Sequence, residues 1–160
     1  MTKKGFTHEK THRGLTDTWL TPLELVRALG EFDLDPCAYP GHLTAKNLNC
    51  FPSDGLSMRW SGRVFLNPPY GPQTGAWLEK LAEHGYGTAL VFARTDTRWF
   101  HTAAKQCSGF LFLKGRIKFL RPDGTVGDQA AAPSLLMSFG LHDALRLKAA
   151  ALQGVFLNLA

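Results

Sequence analysis

Residues 88–93 read Thr-Ala-Leu-Val-Phe-Ala, an uncharged and almost wholly apolar run bounded by Gly87 and Arg94. The run is far too short to cross a bilayer, which takes ~20 apolar residues. It is also too uniformly apolar for a strand with one wet face. It therefore reads as a strand buried on both sides, the kind found in a parallel sheet covered by helices. Arg63–Leu66, Gly109–Leu113 and Ser134–Phe139 are further short strands, and Gly154–Asn158 is a last edge strand. Between them run helical patterns. Thr21-Pro22 is followed by Leu23, Leu25, Val26 and Leu29, with Thr21 as the expected N-cap, Pro22 as first residue, Glu24 completing a capping box and Gly30 closing the helix. Gln73–His84 gathers Trp77, Leu78 and Leu81 on one face, and Asp96–Gln106 and Leu141–Leu152 complete the set. Phe32–Asp35 is a short strand expected to stop at Pro36, residues 36–60 an irregular loop, and Arg116–Leu120 with the Pro122-Asp123-Gly124 turn a hairpin arm. The fold class expected is an α/β sandwich with a mostly parallel sheet and antiparallel edge strands. Its 160 residues suit one domain, residues 17–160, behind a flexible basic arm, residues 1–16.

Charge is uneven. The chain carries a net +5, yet residues 94–121 alone hold seven basic and one acidic side chain. Such a stretch is either a solvated basic face or a surface for phosphates. The N-terminal Met1–Lys10 has no apolar core, so no signal peptide is expected. Cys37, Cys50 and Cys107 form an odd set without a Cys-x-x-Cys, which points to a reduced, cytoplasmic protein. The histidines show no metal-ligand spacing, so no metal is expected.

The most specific signal is Asn67-Pro68-Pro69-Tyr70, placed where a buried strand ends. In open α/β sheets ligands bind at such carboxyl ends. Two prolines in succession forbid helix and strand and remove two backbone donors. The kinked loop either merely terminates the strand, with Asn67 as a cap, or holds the Asn67 side chain and the Pro68 carbonyl rigidly as paired acceptors. Paired acceptors suit an exocyclic amine on a planar ring, which offers two N–H donors and a delocalised lone pair. They favour a tetrahedral nitrogen and so bring its lone pair forward. Tyr70 can stack on the ring.

Asn67-Pro68-Pro69-Tyr70 resembles the catalytic tetrad of S-adenosylmethionine-dependent amino-methyltransferases, shared by adenine-N6, cytosine-N4 and protein-glutamine enzymes. The wider set narrows this. Asp17-Thr18-Trp19-Leu20-Thr21-Pro22, Phe32-Asp33-Leu34-Asp35-Pro36-Cys37-Ala38, Asp54-Gly55-Leu56 with Trp60, Arg94-Thr95-Asp96-Thr97-Arg98-Trp99-Phe100 and Gly115-Arg116-Ile117-Lys118-Phe119 are similar to the phage-type adenine-N6 DNA methyltransferase family. The resemblance covers about residues 17–140. It implies a Rossmann-like methyltransferase sandwich and a site-specific, adenine-specific DNA methyltransferase that flips its target base into the tetrad. The catalytic residues would be Asn67, Pro68, Pro69 and Tyr70. S-adenosyl-L-methionine would be held by Trp19, Thr21, Pro22, Asp35, Pro36, Cys37 and Asp54, with Thr21-Pro22 beside its amino-acid end, Asp35 on its ammonium and Asp54 on its adenine amine. DNA would meet Arg94, Asp96, Arg98, Arg116 and Lys118.

The residues themselves leave other roles open. Asp35 can simply cap its strand, Asp54 can be a turn residue beside Gly55, Cys37 a small buried hydrophobe, and Trp19 and Trp99 core side chains. The usual Asp-Pro-x-x-Gly-x-Gly turn is here Asp35-Pro36-Cys37-Ala38-Tyr39-Pro40-Gly41, with a single glycine, and no clear acidic residue for the cofactor ribose follows. The expected partner is DNA, the state a monomer or homodimer, and the setting a bacterial cytoplasm with a phage or prophage gene in a restriction-modification context. The alternatives are a protein-glutamine or cytosine-N4 methyltransferase, or a nucleic-acid-binding module without catalysis.

Overall fold

A computed structural model describes residues 19–50 and 54–160, so the basic arm lies outside the described residues. In chain order the elements are α1 (Leu23–Ala28), β1 (Leu34–Ala38), β2 (Asn47–Cys50), β3 (Val64–Leu66), α2 (Thr74–His84), β4 (Gly87–Phe92) and α3 (Arg98–Ala104). There follow β5 (Gly109–Leu113), β6 (Lys118–Leu120), β7 (Val126–Gln129), β8 (Ser134–Phe139), α4 (Leu141–Ala149) and β9 (Gly154–Asn158). Seven strands form one sheet in the order β2-β1-β3-β4-β8-β5-β9, while β6 and β7 pair as a separate ribbon.

The run at 88–93 explains why the sheet is covered on both faces. Side chains alternate along a strand. Ala89 and Val91 of β4, Val64 and Leu66 of β3 and Leu135 and Met137 of β8 face a core built with α2 and α3, where Trp77, Leu78, Leu81 and Phe100 pack. Leu90, Phe65 and Leu136 face a second core with Leu25 and Val26 of α1, its C-cap Leu29, and Leu147 of α4. The strands β3, β4 and β8 show almost no exposed surface on either side, which is what an unbroken apolar run requires.

Most strands run one way. β2, β1, β3 and β4 are parallel, β8 is antiparallel to β4 and to β5, and β9 is antiparallel to β5. The antiparallel edge is thus present in β9, but β8 differs from expectation by lying inside the sheet. The chain leaves β5, makes the β6–β7 ribbon and returns between β4 and β5.

Four local expectations are corrected. Pro22, not Thr21, is the N-cap of α1, and no side chain caps that end, because the Thr21 hydroxyl is engaged elsewhere. β1 runs through Pro36 rather than stopping there. The register against β2 shifts between Asp35 and Ala38, so the missing proline N–H falls in an irregularity of the ladder. The loop expected at 36–60 contains β2, and α3 begins at Arg98 after a Thr97 cap whose hydroxyl accepts the Phe100 N–H at 3.3 Å.

Residues 39–46 alone join the parallel strands β1 and β2, and they hold no helix. Parallel neighbours are usually joined by a dozen or more residues, often helical. The short link accounts for the missing glycine-rich turn, since there is no helix for such a turn to enter.

At the amino end of β3 a buried ion pair ties Arg63, the residue before the strand, to α4. Arg63 donates from Nε to Asp143 Oδ1 at 2.9 Å and places a second nitrogen 2.8 Å from the same oxygen. Its remaining nitrogen donates to the Leu29 and Glu31 carbonyls, and its guanidinium lies 4.1 Å from the centre of the Phe32 ring.

Candidate active site

β1, β3 and β4 are parallel, so their carboxyl ends open on one edge, where Asp35, Asn67 and Phe92 line a cleft of about 1080 Å³. The β6–β7 ribbon supplies a further wall through Phe119, Asp128 and Gln129. Leu20 bridges to Leu120 of β6 by two backbone hydrogen bonds of 2.8 Å, which brings Trp19 and Thr21 to the same cleft.

The prolines act as expected on the backbone, and the neighbouring elements complete the arrangement. The Asn67 carbonyl accepts the Cys37 thiol at 3.1 Å, and the Pro69 carbonyl accepts the Thr74 hydroxyl at 2.9 Å. Thr74 Oγ1 in turn accepts the Gly71 N–H at 3.0 Å, tying the loop to the first turn of α2. Asn67 donates its side-chain Nδ2 to Thr21 Oγ1 at 3.1 Å. Among the described residues no donor reaches Asn67 Oδ1 or the carbonyl of Pro68, the middle one of the three. Two acceptors are therefore left for a molecule in the cleft, held from both flanks.

Tyr70 stacks on Phe92, with ring centres 4.5 Å apart and planes 17° from parallel. Its hydroxyl oxygen accepts the Phe92 N–H at 3.1 Å, while 45% of the residue stays exposed. Burial at the hydroxyl end pushes the phenol well above its ordinary value, so Tyr70 is a neutral platform and not a base.

Asp35 is buried and lines the cleft. Its carboxylate accepts the Thr44 hydroxyl at 2.5 Å and the Cys37 N–H at 3.1 Å. Burial raises its pKa from 3.8 to about 6, against the opposing pull of those hydrogen bonds and of nearby His42. No lysine or arginine among the described residues pairs with it. Cys37 is likewise pushed well above its ordinary value by burial and by Asp35, so its thiol is a donor and not a nucleophile.

The structure separates the other expected site residues. Trp19, Thr21, Cys37, Arg94, Asp96 and Trp99 line the cleft with Asp35 and the tetrad. Pro22 and Pro36 stand behind it, as part of the α1 cap and β1. Arg98, Arg116 and Lys118 are exposed outside the lining, Arg98 on α3 and the other two on the arm, with Arg116 bonded to the Ala130 carbonyl at 3.1 Å. Asp54 does not line the cleft. Its carboxylate accepts the Leu56 N–H at 2.9 Å and the Ser57 hydroxyl at 2.5 Å, and these bonds hold its pKa below the ordinary value. It caps a turn whose Gly55 lies so near Pro36 that an added Cβ would fall 2.0 Å from the Pro36 carbonyl oxygen.

Sequence reasoning missed Thr44, His42, Thr74 and Phe92. A threonine just after Pro-Pro-Tyr-Gly at a helix start was a usable sign for Thr74. The roles of Thr44 and His42 arise from an irregular loop and had no local signal. Among the described residues no group of three His, Cys, Asp or Glu side chains is placed to hold a metal ion, and no helix is long and apolar enough to cross a membrane.

A family model described as DNA N-6-adenine-methyltransferase (Dam) matches residues 8–144. No curated protein and no solved structure matches the chain.

Proposed function

The chain belongs to the DNA N-6-adenine-methyltransferase (Dam) family, and on that premise we propose that its cleft methylates the N6 amine of an adenine flipped out of DNA, with S-adenosyl-L-methionine as donor. The observation that carries this reading is a pair of acceptors that no donor reaches among the described residues, Asn67 Oδ1 and the Pro68 carbonyl, at a strand end. An adenine amine has two N–H groups to match them. Both acceptors hold those protons as the nitrogen turns tetrahedral and positive charge grows on it. No strong base is needed, because the proton leaves after the bond to carbon has formed. Tyr70, stiffened by Phe92, offers its exposed face to the base and orients the amine.

The cleft also suits the cofactor's amino-acid end. Asp35 is a desolvated carboxylate without a lysine or arginine partner among the described residues, and an ammonium would supply the missing charge. Bound there, the cofactor supplies an electrophilic methyl group on a sulfonium. Trp19 and the 39–44 segment, with Tyr39 and His42 at the cleft wall, are the residues available for the rest of it in place of a glycine-rich turn. The strand order, with β1 and β3 adjacent and an inserted antiparallel strand, fits a Rossmann-like methyltransferase sandwich.

Asp35 makes the cofactor assignment testable through pH. Its folded pKa is raised, so it stays protonated in the folded chain while the unfolded chain ionises. Its contribution to stability is therefore lost as pH rises from about 4 to about 6 and is constant above. Ligand binding has the opposite sign, because an ammonium needs the carboxylate. Affinity for S-adenosylhomocysteine, measured by calorimetry, should fall up to about tenfold per pH unit below about 6. Asp35→Asn should remove that dependence and weaken binding by about 1.5–3 kcal/mol, the usual worth of a hydrogen bond to a charged group. Unchanged affinity in this variant would reduce Asp35 to a loop cap.

DNA is assigned to the flanks of the cleft, where Arg94 lines the opening and Arg98, Arg116 and Lys118 stand exposed. Each phosphate neutralised should add about 0.9 to the slope of log affinity against log salt. Removing any one of the four charges in the full chain should lower the slope by about one and leave S-adenosylhomocysteine affinity intact. Equal slopes with and without them would make the 94–121 stretch a solvated face.

The direct test incubates the protein with methyl-labelled S-adenosylmethionine and, in separate reactions, DNA, RNA and protein. Label recovered as N6-methyladenine in DNA is expected. Label on a glutamine amide or on cytosine N4 would overturn the reading.

A further inference from the structure

We propose that Thr21 is a positioning residue that fixes the plane of the Asn67 carboxamide at the cleft, where its oxygen can meet the substrate amine. The inference rests on the amine-methylation reading above, and assigns the Thr21 hydroxyl to the tetrad rather than to the cofactor. An asparagine side chain has two ends of similar shape and opposite polarity. With Oδ1 facing the cleft it accepts an amine proton. Turned by half a rotation about its last bond, it presents two N–H donors to the donors of the amine, and one of the two acceptors is lost. The plane of the group must therefore be held, and the only hydrogen-bond partner of the Asn67 side chain among the described residues is Thr21 Oγ1, 3.1 Å from Nδ2. A hydroxyl can accept from the amide nitrogen or donate to its oxygen, so Thr21 fixes the plane, and the two donors of the amine then favour the oxygen-forward end.

Thr21 is well built for this. It is 2% exposed, so water does not compete strongly for the contact. Its backbone is held on three sides. The His42 ring bonds its carbonyl through Nε2 at 2.8 Å, Leu20 before it is paired with Leu120 of β6, and Pro22 after it begins α1. The carbonyl of Asn67 is meanwhile gripped by the Cys37 thiol at 3.1 Å, so the main chain of the asparagine cannot drift away from its partner. The side-chain torsion is the one freedom the loop leaves open, and Thr21 occupies it. The hydroxyl is also free of the N-cap role that the Thr-Pro sequence suggests, since no side chain caps α1.

The test compares Thr21→Val, which keeps the shape and loses the hydroxyl, with Thr21→Ser, which keeps the hydroxyl, both in the full chain. Turnover on DNA should fall at least tenfold in Thr21→Val, with KM for S-adenosylmethionine and affinity for S-adenosylhomocysteine within about twofold of the parent, and Thr21→Ser should restore most of the turnover. With asparagine selectively labelled with nitrogen-15, the side-chain NH2 signals of Asn67, identified by their loss in Asn67→Asp, should move in Thr21→Val and stay in Thr21→Ser. Parent-like turnover with unmoved Asn67 signals overturns the proposal. So does weakened S-adenosylhomocysteine binding at unchanged turnover, which would return Thr21 to the cofactor. If the parent protein methylates no DNA, the functional reading fails separately, and the NH2 signals still decide whether Thr21 holds Asn67.

Discussion

Replacing Asn67 by alanine should reduce turnover by about two orders of magnitude, on the order of 3 kcal/mol, as for other preorganised groups that meet charge developing in a transition state. The side chain is one of two acceptors in the tetrad loop that no donor reaches among the described residues, and the Pro68 carbonyl cannot serve both amine protons from one position. The loss should fall on turnover. The variant keeps both prolines, the Thr74 bond to the Pro69 carbonyl and the thiol bond to its own carbonyl, so the loop keeps its shape. Affinity for S-adenosylhomocysteine should stay within about twofold, since Asp35 and its Thr44 and Cys37 partners are untouched. Steady-state rates on DNA with calorimetry on the same preparation separate the two quantities. Near-parent turnover would remove the tetrad from the mechanism.

The largest expected loss of stability lies far from the cleft. In Asp143→Ala the carboxylate that receives Arg63 and the Thr88 hydroxyl, the latter at 2.8 Å, is gone. The guanidinium is left with 4% of its side-chain surface exposed and its charge uncompensated. Breaking a buried pair in this way costs about 3–5 kcal/mol. That is a large share of the roughly 5–15 kcal/mol that holds a domain together. The double variant Arg63→Met with Asp143→Leu removes both charges and should cost less than Asp143→Ala alone, because no unpaired charge remains. Denaturant unfolding of the three proteins checks the order. A loss below about 1 kcal/mol in Asp143→Ala would mean that water reaches the guanidinium.

The family could be recognised from the residues alone: the motifs between about 17 and 140 pointed to adenine-N6 methyltransferases, and the family match over 8–144 agrees. These motifs are short and local, as are the causes of most elements. Trp77, Leu78 and Leu81 share a helix face by spacing, Gly85 ends that helix in the left-handed conformation at φ +70°, and Asn67-Pro68-Pro69 breaks β3 by ring sterics. Asp54 marks a limit even for local reasoning, since a carboxylate capping a turn and one awaiting a ligand look the same in a string of letters.

What the sequence by itself determined, then, was most of the strands and helices though not β2, that the sheet is buried on both faces, and that a rigid Asn-Pro-Pro-Tyr loop follows a strand. Tertiary structure alone decided that β8 enters the sheet between β4 and β5, for an all-apolar strand satisfies a parallel or an antiparallel neighbour equally well. It alone decided that Asn67 meets Thr21 from 46 residues away, that Cys37 reaches the Asn67 carbonyl across 30, and that Arg63 finds Asp143 across 80. Periodicity follows from the backbone repeat of one element, whereas the partner of a buried polar group depends on which distant elements the two cores bring together, and no local pattern encodes that.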